Sequence, residues 1–370
     1  MGRALELAER GRGWAEPNPV VGAVLVRDGQ VIGEGWHRRY GGPHAEVEAL
    51  RDCEQRGLSA AGASLFVTLE PCCHWGKTPP CVDAVLAARV GDVWAAMQDP
   101  APWVNGRGMT RLRDAGVAVH VGLMEDRARR QNEAWLKGLA TGLPWVVAKW
   151  AQTLDGRLGT RSGDSRWISG EASRRWVHEL RARVDAVVVG IGTVKSDNPE
   201  LNARGVELRR VARRVVVDPR LELPLDSRLV TTLRHSDDAA PVTAICGPVS
   251  GELELRRAAL EAAGVEVLPV GWREGCGLDL AAAWGRLARE HRASRVLVEG
   301  GAGLIGQLFL QGQVDEVVAF VAPRVLGDPD AVPVARGLSP QKIDEALRLE
   351  LRDVERLGED VRLGYRVVAT

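Results

Sequence analysis

The residues with chemistry in them fall into one short stretch: Pro43-His44-Ala45-Glu46, and further on Cys72-Cys73-His74-Trp75-Gly76-Lys77-Thr78-Pro79-Pro80-Cys81. An imidazole and two thiolates form the ligand set of an open zinc site, in which water keeps the fourth position. A metal of that kind makes the water acidic, and a carboxylate that is not itself a ligand can move its protons. Glu46, two residues after His44, has that place. Residues i and i+2 of a regular helix diverge, so the metal must lie over a helix N-terminus that both can reach. Pro79-Pro80 breaks regular structure ahead of Cys81, which then begins a second helix whose positive end favours a thiolate.

A closed reading stands beside this one, because Cys72, Cys73, His74 and Cys81 alone could make a structural zinc knot. The spacing does not decide between them. Zinc nucleobase deaminases place their second Cys three residues after the first, whereas Cys72 and Cys81 are nine apart. Glu46 favours the open site, since a closed knot gives it no task. His37, alone at a strand end, reads as a hydrogen-bonded residue and not as a ligand.

A second constellation follows the apolar strand 295–298. Glu299-Gly300-Gly301-Ala302-Gly303-Leu304-Ile305-Gly306 leads into a helix, and Gly301, Gly303 and Gly306 have the spacing of a dinucleotide loop whose amides hold a phosphate. No acid closes the following strand, where an NAD site places one, and Arg324 stands there. That favours NADP and an architecture other than an ordinary Rossmann domain. The arginines of 209–214 read as a solvated loop ahead of a buried strand.

The elements that must position these residues alternate through the chain. The first series is helix 3–12, strands 20–26 and 31–36 turning on Asp28-Gly29, helix 44–56, strand 64–69, helix 80–88, strand 91–97, helix 107–115 and strand 117–121. One charged helix over 124–140 joins it to a second series. That series has strands at 145–151, 185–189, 215–217, 242–246, 265–270, 295–298 and 317–321, helices near 171–183, 251–263, 279–291 and 303–311, and a closing hairpin over 347–367. This predicts an α/β chain of two domains, 1–143 and 144–370. The chain has 370 residues, with 49 basic and 49 acidic side chains. That balance excludes an electrostatic footprint for nucleic acid or a membrane surface and favours a small-molecule substrate. No signal-like or membrane-length apolar run is present, so a cytoplasmic protein is expected. The remaining cysteines, Cys53, Cys246 and Cys276, read as packing residues.

On these residues the chain resembles the RibD family, the bifunctional pyrimidine deaminases and reductases of riboflavin biosynthesis. The resemblance rests on Pro17-Asn18-Pro19-Val20-Val21-Gly22, Pro43-His44-Ala45-Glu46, and the run from Thr68-Leu69-Glu70-Pro71-Cys72 to Thr78-Pro79-Pro80-Cys81. It continues through Lys149-Trp150-Ala151-Gln152-Thr153-Leu154-Asp155-Gly156-Arg157, where Thr153 replaces the usual Ser, then Ser165-Arg166-Trp167-Ile168-Ser169, Gly190-Ile191-Gly192-Thr193-Val194, Asp197-Asn198-Pro199-Glu200-Leu201 with Arg204, and Glu299-Gly300-Gly301. The resemblance implies a cytidine-deaminase-like three-layer domain followed by a dihydrofolate-reductase-like α/β domain. It implies one zinc ion per chain on His44, Cys72 and Cys81, with Glu46 as catalytic proton shuttle. It implies NADPH on Ala151, Trp167, Thr193, Asp197 and the run Gly301, Ala302, Gly303, Leu304, Ile305, Gly306 and Gln307. Ser165, Arg181, Leu201, Arg204 and Glu299 would meet the phosphoribosylaminopyrimidine substrate, with Lys149 as a further cation on the phosphosugar. A homodimer or homotetramer is also implied.

Overall fold

The computed structural model describes residues 1–234 and 239–368. It separates into two compact units, Met1–Thr141 and Gly142–Thr370. The range 144–370 drawn from sequence includes 235–238, 369 and 370, which lie outside the described residues. Among the described residues no helix is long and apolar enough to cross a membrane.

The first unit contains α1 (Gly2–Glu9), β1 (Gly22–Arg27), β2 (Gln30–Trp36), α2 (Ala45–Gln55), β3 (Ser64–Val67) and α3 (Cys81–Ala87). β4 (Asp92–Ala95), α4 (Arg107–Asp114), β5 (Ala118–Val121), α5 (Glu125–Gln131) and α6 (Glu133–Thr141) complete it. Its sheet has the order β2-β1-β3-β4-β5. β1 pairs antiparallel with β2 and β3, and β3, β4 and β5 run parallel. The β1–β2 turn uses positive φ at Asp28 and Gly29, the conformation an Asp-Gly hairpin needs. Strand alternation sorts the core into layers. Ala23 and Leu25 face Ala49, Val82 and Leu112 of α2, α3 and α4, while Val24 faces Ala4 and Leu7 of α1.

Two local facts shape this unit. A Cβ on Gly35 of β2 would stand 2.3 Å from the Ala45 carbonyl, so glycine lets α2 lie directly on the strand and fixes where its N-terminus points. The single helix expected over 124–140 is broken at Asn132, whose side chain both accepts from the Val20 N–H (2.9 Å) and donates to the Val20 carbonyl (3.0 Å). An amide that satisfies a buried strand end competes with helix continuation.

The second unit opens with β6 (Trp145–Thr153), β7 (Arg157–Gly159), α7 (Glu171–Arg181), β8 (Ala186–Gly190), α8 (Ile191–Asp197) and β9 (Arg213–Val217). Next come α9 (Arg228–Thr231), β10 (Val242–Cys246), α10 (Glu252–Ala262), β11 (Glu266–Pro269), β12 (Trp272–Arg273), β13 (Gly277–Leu278) and α11 (Leu280–His291). It ends with β14 (Arg295–Val298), α12 (Ala302–Leu310), β15 (Glu316–Ala322), β16 (Val332–Pro333), β17 (Leu349–Leu357) and β18 (Asp360–Val367). The nine-stranded sheet runs β11-β10-β9-β8-β14-β6-β15-β18-β17. It is parallel from β11 to β15, and the terminal hairpin adds antiparallel at one edge. The central strands are apolar almost throughout because both faces are covered. Val146, Val188 and Val296 pack against α11 and α12, and Phe320 on the other face meets Trp176 of α7 with ring centroids 5.6 Å apart. In a parallel sheet the carboxyl ends of all strands share one edge, where ligands of open α/β sheets bind.

Candidate functional site

In the first unit the two helix starts deliver their ligands side by side. His44 is the N-cap of α2, and Pro80 caps α3 just ahead of Cys81. His44 Nδ1 lies 3.1 Å from Cys81 Sγ and 3.5 Å from Cys72 Sγ, and the Cys81 N–H points at Cys72 Sγ at 3.3 Å. One ligand atom from each of the three residues lies within 4.8 Å of the other two. Cys73 packs on the core beneath α2 and α3, and among the described residues His74 joins no such cluster. The geometry therefore assembles His44, Cys72 and Cys81 and not the closed knot.

Electrostatics describe a site short of positive charge. The Cys81 thiol donates to Cys72 and, with His44 and the Cys81 N–H, holds the Cys72 thiol down at about 4. That first thiolate, together with burial, pushes the Cys81 thiol well up. Glu46 is buried, which raises its carboxyl to about 7. Two sulfurs competing for one negative charge beside a desolvated carboxylate are what a dication resolves, and one imidazole with two thiolates is a donor set for zinc. The residues fit the ion.

Neighbouring groups hold this arrangement in place. His37 is buried, with Nδ1 3.0 Å from the Pro43 carbonyl and Nε2 3.2 Å from Asn18 Nδ2, so neither nitrogen is available to a metal. Thr78 Oγ1 lies 3.4 Å from His44 Nε2, a contact that sequence reasoning passed over. Glu70 was passed over as well. Its carboxylate accepts the backbone N–H groups of Asp99, Gly106, Gly108 and Met109, tying the segment before Cys72 to the start of α4. The signal was present as an acid between apolar strand residues and the cysteine pair, a place where an unpaired carboxylate is costly.

The second unit gathers its polar side chains at the carboxyl edge of the sheet. Glu299 follows β14 and takes a two-pronged ion pair from Arg181, Nε to Oε1 at 2.5 Å and Nη2 to Oε2 at 2.7 Å, with Lys149 Nζ of β6 at 4.0 Å. Burial alone would raise the Glu299 carboxyl, but Arg181 and Lys149 overcome it and hold it at about 2. Burial also lowers the Lys149 ammonium. Arg181 Nη1 donates to the Asn202 carbonyl at 3.0 Å, and the Arg204 N–H points at His178 Nδ1 at 3.3 Å, so Lys149, Glu299, Arg181 and Arg204 belong to one neighbourhood. Leu201 is buried with φ +56°. Ala151 pairs with Phe320 along β15, Ser165 lies near Gly159, Asp197 closes α8 and takes Arg166 Nη2 on its carbonyl at 2.6 Å, and Trp167 is 63% exposed beneath Arg174.

The glycine run divides. α12 begins at Ala302, within one residue of the expected start, so the amides of Ala302, Gly303 and Leu304 form its open first turn while the Ile305 N–H already bonds to the Gly301 carbonyl at 3.0 Å. Thr193 Oγ1 stands 3.4 Å from where a Cβ on Gly301 would lie. Ile305 is fully buried in the core, and a Cβ on Gly306 would fall 1.7 Å from the Arg336 carbonyl, so these two residues pack the helix. Gln307 lies against Gly277. The arginines of 209–214 are spent on structure: Arg210 on Asp185, Arg213 on Glu266, and Arg214 on the Ala240 carbonyl. Glu266, Glu290 and His291 also cluster, but Arg213 and Arg286 neutralise the carboxylates.

Known proteins resemble both units of the chain. A family model described as RibD C-terminal domain matches residues 144–363, and one described as Cytidine and deoxycytidylate deaminase zinc-binding region matches residues 1–97. The riboflavin biosynthesis protein RibD of Aquifex aeolicus is 38% identical over 363 residues, which are 98% of this chain and 96% of that one. A structure of Acinetobacter baumannii RibD aligns with a TM-score of 0.84 at 36% identity, covering 100% of this chain and 98% of that one. The diaminohydroxyphosphoribosylaminopyrimidine deaminase/5-amino-6-(5-phosphoribosylamino)uracil reductase of Thermotoga maritima aligns with a TM-score of 0.83 at 32% identity, covering 100% and 97%.

Proposed function

The chain belongs to the RibD family, and from that premise we propose how its own residues divide the work. It is a bifunctional enzyme of riboflavin biosynthesis, with a cytidine-deaminase-like domain followed by a dihydrofolate-reductase-like one. The first activity hydrolyses the 2-amino group of 2,5-diamino-6-(5-phosphoribosylamino)pyrimidin-4(3H)-one. The second reduces the resulting 5-amino-6-(5-phosphoribosylamino)uracil to its ribitylamino form. The family implies zinc for the one and a nicotinamide cofactor for the other.

His44, Cys72 and Cys81 would hold the zinc, which when bound supplies the Lewis acidity that makes water nucleophilic at neutral pH. Glu46 takes the proton of the attacking water and returns protons to the pyrimidine ring and to departing ammonia. Its burial beside the ligands keeps bulk water from competing for those protons. The observation that carries this reading is the convergence of three donor atoms within 4.8 Å beside a buried, non-ligating carboxylate.

In the second unit the amides of Ala302, Gly303 and Leu304, with Thr193 opposite Gly301, would take a phosphate of NADPH, a reading supported by the open first turn of α12. Ala151, Trp167 and Asp197 would line the rest of that cleft. The cofactor brings the hydride, and the protein brings position and charge. Glu299, ionised and rigidly held by Arg181, can accept from sugar hydroxyls. Lys149 can polarise the sugar at C1′, while Ser165, Leu201 and Arg204 bound the substrate. The test is ammonia release from the diamino compound with and without cofactor. Ammonia should appear in both cases and the ribitylamino product only with NADPH, with kcat/KM for NADPH well above that for NADH. Ammonia that required the reduced cofactor would overturn the division of labour, and equal use of NADH would overturn the cofactor.

A further inference from the structure

The first turn of α7 is capped from outside the helix. Its N-cap is Gly170, which has no side chain to offer, and its third residue is Ser173, where a capping box would carry an acid or an amide. Asp360, at the start of β18, supplies what both lack. Asp360 Oδ2 accepts the Gly170 N–H at 2.7 Å and the Ser173 hydroxyl at 2.5 Å, a link across 190 residues of chain. Asp360 is 3% exposed, and so deep a carboxyl group is costly unless bonds of this kind offset its loss of water. Two residues on, and so on the same face of β18, Arg362 stacks on Trp176 one turn further along α7, 4.8 Å from the ring centroid. Asp353 and Glu355 of β17 hold that guanidinium. Phe320, the register partner of Arg362 on β15, meets the same indole edge-on. The terminal hairpin therefore does more than close a sheet edge, because it fixes where α7 begins.

Both ends of α7 lead into the reductase cleft. Its far end carries Arg181, which grips Glu299, and His178, whose Nδ1 faces the Arg204 N–H. At its near end the chain runs back through Ser169 to Trp167 and Ser165, which the function proposed above, on which this inference rests, sets against NADPH and substrate. That segment is tied on both sides. Arg166 Nη2 donates to the Asp197 carbonyl at 2.6 Å, and Arg174 Nη1 donates to the Ser169 carbonyl at 2.7 Å. The Arg174 guanidinium also lies over the Trp167 ring, 4.7 Å from its centroid, while its own N–H bonds back to the Gly170 carbonyl at 3.2 Å. A shift of Gly170 is thus carried by Arg174 to Trp167. We infer that Asp360 is a positioning residue of the reductase, which through Gly170 and Ser173 sets where Trp167 and Ser165 stand against their ligands. It acts on the loop and not on a ligand.

The test uses the full chain as parent, Asp360→Ala, Asp360→Asn, Ser173→Ala and Trp167→Ala, assayed for ammonia release from the diamino compound and for reduction of the aminouracil ribosyl phosphate. Loss of two buried hydrogen bonds should raise KM for NADPH and for the aminouracil together, each about tenfold, while ammonia release stays at the parent rate. Asp360→Asn keeps an acceptor oxygen for both donors and should stay within about twofold of the parent. Ser173→Ala removes one bond with the hairpin intact, so a rise of about threefold in both KM values is expected even where Asp360→Ala fails to fold. The decisive measurement is a double-mutant cycle. In the Trp167→Ala chain the cofactor contact is already gone, so Asp360→Ala should add little to KM for NADPH. Full additivity there overturns the positioning role, as does an Asp360→Ala or Ser173→Ala chain with parent KM values, or an Asp360→Asn chain as impaired as Asp360→Ala. Leu260→Ala, a core truncation in α10, lowers Tm without touching the loop, and an equal rise of KM in that chain would reduce Asp360 to a stabilising residue. A parent that oxidises no NADPH with the aminouracil overturns the reductase reading itself, before any variant is compared.

Discussion

Two thiols at the head of the first unit share a negative charge that only one of them can keep. Cys72 holds it because Cys81 and His44 face its sulfur, and the pair needs a cation before both can ionise. Cys72→Ala and Cys81→Ala should therefore each abolish zinc binding and deamination, whereas Cys73→Ala, a residue of the core face, should keep most of both. Metal analysis of the purified variants checks this, and a zinc-free Cys73 variant would move the ligand assignment. The choice between Cys72 and Cys73 was open on residue types alone, because adjacent side chains point apart and only the fold says which one faces His44. Glu299 makes a second case. Its carboxyl falls from an ordinary 4.5 to about 2 on folding, so its ionised form contributes about 3 kcal/mol above pH 4.5, and that stability drains away as the pH drops from there toward 2. Between pH 5 and pH 3 the parent should lose about 2 kcal/mol more in urea unfolding than Glu299→Gln. Parallel losses would mean that Glu299 is not ionised in the folded protein.

At the scale of elements, patterns of period and punctuation were legible, while boundaries set by a distant partner were not. The Asp28-Gly29 hairpin, the apolar parallel strands and the terminal β17–β18 pair follow from local turn chemistry and burial. The break at Asn132 depends on Val20, more than a hundred residues earlier. α8 was hidden because Gly190-Ile191-Gly192-Thr193 reads as a loop until β8 and β9 flank it. The same glycine run yields a paired prediction. Gly306→Ala must displace the Arg336 backbone and should cost about 1–3 kcal/mol or more, several degrees of Tm. Gly303→Ala meets nothing within 4 Å and should hold or raise Tm, by up to about 1 kcal/mol of helix propensity. Its methyl group would instead project beside the open first turn, so KM for NADPH should rise. A Gly303 variant unchanged in both measures would take the phosphate away from this helix.

At the scale of the molecule, among the described residues, the hydrophobic clusters of the two units share no residue. The clusters around α2, α3 and α4 and around α1 lie within Met1–Thr141, and the large cluster of β6, β8, β14, α11 and α12 lies beyond Gly142. The alternation of strands and helices made two domains readable, and the division into two compact units rests on this separation of cores. Glu46→Ala exploits it. The substitution removes the proton shuttle but no zinc ligand, so metal content should persist while hydrolysis falls by about 10²–10⁴-fold, the usual worth of acid–base catalysis. Lys149, Arg181 and Glu299 belong to the other unit and should be undisturbed. Given the aminouracil ribosyl phosphate, the variant should oxidise NADPH at close to the parent rate, and given the diamino compound it should stall before any hydride is used. If NADPH oxidation on the aminouracil collapsed as well, in a protein still folded and loaded with zinc, the two activities would have to share one centre. Separate cores would then describe the folding of this chain without describing its chemistry.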